Sequence, residues 1–150
     1  GNRFYISEYI YLPSSFTVTP GGYFDIFQVA SDTGHACPMY SLMISGQNSD
    51  GTFNIMLFVR DASANKVGND GVVASTNNFN LPRGQWFHFE YYQVNSANGL
   101  IKVWINGQQI IDYTGNTELI GNYFLSTDLY YNADDTTQHQ MWLDDFAVYG

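Results

Sequence analysis

The sequence predicts an all-β domain, a two-sheet antiparallel β-sandwich, and three observations carry that prediction. Aromatic residues make up 17% of the chain and charged residues only 13%, the latter about half the usual share of a soluble domain. Tyr, Thr, Asn and Gly abound, which suits pleated strands joined by polar turns rather than helices laced with Glu–Lys pairs. Alternating or β-rich runs recur along the whole chain, each closed by turn chemistry. No segment longer than one turn shows a helical period, so any helix is expected in a short loop turn.

The elements follow in order. Phe4–Leu12 alternates and ends at Pro13-Ser14-Ser15. Phe24–Ala30 comes next, then Met39–Ser45, closed by Asn48-Ser49-Asp50-Gly51 and expected to pair with Thr52–Arg60 as a hairpin. Gly71–Ser75 is a weak run, placed at an edge. Trp86–Val94, Leu100–Ile105 and Gln108–Tyr113 form a meander. Its second turn, Asn106-Gly107, suits a type I′ hairpin because both residues accept positive φ. Tyr123–Tyr131 and Gln140–Tyr149 close the domain. Residues 1–150 read as a single sandwich domain excised from a larger protein. At 150 residues such a domain buries roughly 70% of its unfolded surface and needs no disulfide. Cys37 is the only cysteine, so none can form within the chain, and the redox compartment stays open.

Alternation in the meander assigns two faces. Phe87, Phe89, Tyr91, Ile101, Val103 and Ile105 point between the sheets. The opposite face carries Trp86, His88, Glu90 and Tyr92 with Lys102 and Trp104. Two indoles are unusual on a solvated sheet face. Trp86 can cap the core and Trp104 can lie under a loop, since Trp is usually well buried; alternatively the face is a platform on which a sugar ring stacks.

The runs Gly84-Gln85-Trp86-Phe87-His88-Phe89-Glu90, Gly99-Leu100-Ile101-Lys102-Val103-Trp104-Ile105-Asn106-Gly107 and Trp142-Leu143-Asp144-Asp145-Phe146-Ala147-Val148-Tyr149 resemble strands of the concanavalin A-like lectin/glucanase domains. That group includes laminin-G-like modules, sugar-binding modules and several polysaccharide lyases. The resemblance covers chiefly residues 84–150, and it implies a jelly roll with one sheet bent into a concave groove. It places His88, Glu90, Tyr92, Lys102 and Trp104 in that groove, the face that alternation had already singled out. The fold hosts many activities, so the likeness does not choose one.

Net charge bounds the partners. A balance of −9 disfavours nucleic acid and strongly anionic polysaccharides, and favours a neutral ligand or a cation such as Ca²⁺. No apolar run is long enough for a membrane helix, and no signal peptide is visible. Asp144-Asp145 lies in a strand that reads as buried, where paired carboxylates need a partner. A β-bulge holding structural calcium, with Asp145 the better ligand and Asp144 beside it, is one solution; hydrogen bonds to backbone amides are another. Asp134-Asp135, Asp50-Gly51 and Asn69-Asp70-Gly71 read as turns, and His35 and His139 as isolated. Tyr5, Tyr9, Tyr11, Tyr123, Tyr130 and Tyr131 read chiefly as packing residues.

Glu8 shares its alternation with Phe4, Ile6, Ile10 and Leu12, so it faces the core unless a bulge turns it to the groove. Glu8 with Glu90 is the one credible carboxyl pair for glycoside hydrolysis. The Glu-x-Asp-x-x-Glu run of laminarinase-type relatives is absent. A lyase set would be His88 with Tyr92 and Lys102. On balance the residues predict a non-catalytic carbohydrate-binding domain, secreted or at the cell surface and monomeric. It would bind a neutral polysaccharide through Trp104, Tyr92, Lys102, His88 and Glu90. A polysaccharide lyase or glycoside hydrolase is the alternative, and an adhesion or structural module the third reading.

Overall fold

The structure is a computed structural model, and the residues it describes are 3–31, 38–59, 71–119, 123–127, 130–131 and 139–150. Among them the regular elements are all strands: β1 (Arg3–Leu12), β2 (Tyr23–Ser31), β3 (Pro38–Ser45), β4 (Phe53–Val59), β5 (Gly71–Phe79), β6 (Gln85–Val94), β7 (Gly99–Ile105), β8 (Gln108–Gly115), β9 (Tyr123–Ser126), β10 (Tyr130–Tyr131) and β11 (Trp142–Tyr149). The first sheet runs β11-β1-β6-β7-β8 and the second β10-β2-β3-β4-β5, with β9 also paired to β2. Every pairing is antiparallel. The all-β sandwich is therefore the observed fold. Among the described residues no helix is long and apolar enough to cross a membrane.

Period-2 alternation explains the layering. Ile6, Ile10, Phe87, Phe89, Ile101 and Val103 of the first sheet are buried against Phe24, Phe27, Leu42, Ile44, Ile55 and Leu57 of the second. Phe27 bridges the layers, its ring 5.7 Å from Phe89 and 4.7 Å from Tyr91. The meander forms as expected, and Asn106 and Gly107 take φ of 51° and 76°. The β3–β4 hairpin forms too. The weak run at Gly71 extends to Phe79 and is an edge strand.

Three expectations change. The stretch Tyr123–Tyr131 is two short strands, β9 and β10, both on β2. β11 is exposed along nearly its whole length rather than buried. It is the outer strand of its sheet and, among the described strands, pairs only with β1. Trp86 is 48% exposed and does not cap the core. His35, Cys37, Asn69-Asp70, Asp134-Asp135 and the side chains of Tyr130 and Tyr131 lie outside the described residues.

Candidate functional site

The outer face of the first sheet is built from the odd residues of β1 and the even residues of β6 and β7, laid side by side by their registers. One row is Tyr149–Tyr5–Tyr92–Lys102–Asp112. The next is Ala147–Ser7–Glu90–Trp104–Gln109. The third is Asp144–Tyr9–His88 and the fourth Trp142–Tyr11–Trp86. Successive rows are one pleat apart, about 7 Å.

The first three rows hold a chain of polar contacts. The Tyr5 hydroxyl donates to Glu90 Oε1. Glu90 Oε2 lies 3.5 Å from His88 Nδ1, and His88 Nε2 lies 2.7 Å from Ser7 Oγ. With a carboxyl facing Nδ1 and a hydroxyl facing Nε2, the neutral ring carries its proton on Nδ1 and accepts from Ser7 on Nε2. Tyr9 stacks on the imidazole, centroids 5.0 Å apart. The β7–β8 turn fixes the backbone beneath: Asn106 Oδ1 accepts from the His88 N–H at 2.9 Å, and the Asn106 N–H donates to the His88 carbonyl at 2.8 Å. Burial and the neighbouring Glu90 push the Tyr5 phenol up to about 12. Tyr5 therefore keeps its proton at neutral pH and serves as a donor.

Lys102 Nζ lies 3.7 Å from Asp112 Oδ2. His88, Glu90, Tyr92, Lys102 and Trp104 thus share one half-exposed face, as their alternation predicts. Tyr5, Ser7, Tyr9, Tyr11 and Trp142 join them. The β1 tyrosines do pack between strands, as expected, but on this outer face: Tyr5 against Tyr149, Tyr9 against His88 and Tyr11 against Trp86 and Trp142, while Tyr123 stacks on Phe4 at 5.8 Å. The signal was available in part. Once Ile6, Ile10 and Leu12 are assigned to the core, Tyr5, Ser7, Tyr9 and Tyr11 must face outward.

Glu8 is not in the groove. The β1–β6 register runs unbroken from Arg3 to Leu12, so Glu8 stays on the core face and is fully buried. Thr127 Oγ1 donates to its Oε1 at 2.9 Å, and Oε2 has no hydrogen-bond partner among the described residues. Burial pushes its carboxyl up to about 7. Glu8 and Glu90 lie on opposite faces of one sheet, so they cannot flank a glycosidic bond, and the hydrolase pairing falls.

The bulge foreseen at Asp144-Asp145 exists: Ala147 pairs Ser7 and Asp144 pairs Tyr9, with Asp145 at φ 52°. The Asp145 N–H donates to Asp144 Oδ1 at 2.9 Å. Both residues are exposed, so water satisfies their carboxylates and the burial argument for calcium is gone. Among the described residues no group of three or more His, Cys, Asp or Glu is gathered to hold a metal. Asp50 is the turn residue expected, its Oδ1 accepting from the Thr52 amide and hydroxyl at 3.0 and 2.6 Å. His139 packs its ring 4.9 Å from Phe24.

Comparison with known proteins places this geometry in a class. The family model described as polysaccharide lyase matches residues 1–147. The chain belongs to that family. Among solved structures, it resembles an endo-β-1,4-glucuronan lyase from Trichoderma reesei, with TM-score 0.69, 16% identity, and 99% of this chain and 68% of that one covered. An alginate lyase variant in complex with an alginate trisaccharide gives TM-score 0.65 at 12% identity, covering 99% of this chain and 70% of that one. An alginate lyase from Pseudomonas aeruginosa gives 0.58 at 16% identity, covering 99% and 64%. At such identities the likeness speaks for the fold. A search of curated proteins finds no match. The expectation of a non-catalytic carbohydrate-binding domain is overturned by the family match. It failed because the residues that complete the polar cluster come from β1, more than 80 positions from His88 in sequence.

Proposed function

We propose that the protein is a polysaccharide lyase that cleaves a uronate-containing glycan by β-elimination in the groove of the first sheet. The observation that carries the reading is the Tyr5–Glu90–His88–Ser7 chain of contacts on an otherwise aromatic face. The reaction takes the proton from C5 of the uronate, α to its carboxylate, forms the C4=C5 double bond and expels the glycosidic oxygen at C4. It needs a base for the C5 proton, stabilisation of charge building on the carboxylate, and a proton for the leaving oxygen.

His88 is the base. Glu90 orients its ring through Nδ1, and displacement of the Ser7 hydroxyl opens the Nε2 lone pair to the sugar. Tyr9, alongside the imidazole and 42% exposed, can protonate the leaving oxygen. Lys102, two rows away beside Tyr92, is the described cation on this face nearest the cluster and the candidate for a uronate carboxylate, and Arg3 stands at that same end. A polymer substrate of this kind lies outside the cell, which is where we place the protein.

The test is ultraviolet absorbance from the new double bond conjugated to the carboxylate, on alginate, glucuronan and mixed uronate glycans. Wild type should generate it, and His88→Ala should lower the rate ~10²–10⁴-fold, the usual contribution of a positioned general base. Reducing ends appearing without that absorbance would indicate hydrolysis and refute the reading.

A further inference from the structure

The fourth row of the groove has no part in the cluster just described, yet it is the most aromatic. Tyr11 lies between two indoles, its ring centroid 5.6 Å from Trp86 and 5.4 Å from Trp142. The interplanar angles are 57° and 77°, so the three rings form a faceted surface and not a closed stack. Trp86 and Trp142 are 48% and 46% exposed. An indole left half in water forgoes much of its hydrophobic stabilisation, and here two do so side by side, one pleat from His88.

Charge sharpens what could lie there. Among the described residues the Lys and Arg side chains are Arg3, Arg83 and Lys102. Arg3 sits at the opposite end of β1, and Lys102 is tied to Asp112 two rows beyond His88. Arg83 donates to the Phe16 carbonyl at 2.9 Å and lies over the Phe53 ring. The aromatic row therefore has no described cation, and the β11 residue in the row beside it is Asp144. Among the described residues nothing in that row offers a carboxylate-bearing sugar a charge partner. An uncharged ring with an apolar C–H face needs none.

We propose that Tyr11, Trp86 and Trp142 form a stacking subsite for an uncharged sugar residue of the glycan whose uronate is cleaved beside His88. The two ends then differ in charge: the described cations Arg3 and Lys102 lie at the end that carries Tyr5, Tyr92 and Tyr149, and the two indoles lie at the other. The substrate class follows: a polymer that mixes uronates with neutral sugars, not one built of uronates alone. This deepens the lyase reading and rests on it for the position of the scissile bond, but binding at the subsite can be measured without turnover.

Affinity electrophoresis in gels containing gellan or hyaluronan, which mix uronates with uncharged sugars, against alginate and glucuronan, which are built of uronates alone, tests it on wild type, Trp86→Ala and Trp142→Ala. Both side chains are half-exposed, so the variants should keep the wild-type melting temperature, which is the control for folding. The expected result is stronger retardation of wild type by at least one mixed polymer, weakened about tenfold in each variant, in line with the stacking energy of an aromatic contact. In turnover, the same variants should raise KM on that polymer with little change in kcat. Equal retardation of wild type and Trp142→Ala, or preference of wild type for the polymers built of uronates alone, overturns the subsite. Retardation with no double-bond absorbance on any polymer overturns the lyase reading alone and leaves the subsite supported.

Discussion

Glu8 and Glu90 lie on adjacent strands of one sheet, one residue out of register, and face opposite ways. Ser7 stands opposite Glu90, and Glu8 opposite Phe89. On the core side Glu8 has one donor, Thr127, and burial raises its carboxyl to about 7. On the groove side Glu90 meets a phenol and an imidazole and remains open to water. One residue type serves as a buried carboxyl that folding favours in its protonated form and as the hub of a polar cluster on a wet face. Which face of the sheet a side chain occupies decides its chemistry.

The sharpest test of that contrast uses two neighbours on β6. Phe89→Ala removes a fully buried ring and should cost about 3–5 kcal/mol of folding stability. His88→Ala, half-exposed on the other face, should cost less than ~1 kcal/mol while removing the activity. Denaturant unfolding of both variants beside the rate assay separates the two faces. Equal destabilisation would mean that the groove is structural.

Glu8 should betray its face through pH. Its folded-state value lies above the ordinary carboxyl range, so folding favours the protonated form. Its contribution is intact below about 4.5 and is lost as pH rises to about 7, where the buried charge has cost about 2–3 kcal/mol. Glu8→Gln, neutral at every pH and able to accept from Thr127, should raise the melting temperature by roughly 5–10 °C at pH 8 and far less at pH 4. A constant gain at both pH values would remove the titration from the explanation.

The smallest effect belongs to the groove-side hydrogen bond. Tyr5→Phe deletes one donor to Glu90 and should cost ~0.5–1.5 kcal/mol in stability or transition-state binding. Spectrophotometric titration should show one fewer tyrosine ionising near 12. No change in the late-titrating set would mean that another phenol holds that place.

Much of this was legible in local pattern. Period-2 alternation in Trp86–Tyr113 separated Phe87, Phe89, Ile101 and Val103 from His88, Glu90, Lys102 and Trp104, and each side is where alternation put it. Asn106-Gly107 announced its turn because positive φ is a property of two adjacent residues. The aromatic row and the Ser7–His88 contact were not legible, because they depend on which distant strands become neighbours. Trp86 looked like a core cap only while its neighbours were unknown, and β11 looked buried only while it was free to be a central strand.

Residue by residue, then, alternation and turn chemistry determine the strands and the two faces of each, since side-chain direction in a strand follows from backbone geometry alone. Strand order is a different matter. β1 lies between β11 and β6, joining segments some 80 and 140 positions apart, and that order is settled by burying both apolar layers at once. Only that packing set Tyr5, Ser7, Tyr9 and Tyr11 against Glu90, His88, Trp86 and Trp142, and so gathered a polar cluster and an aromatic row on one face from residues that no local pattern connects.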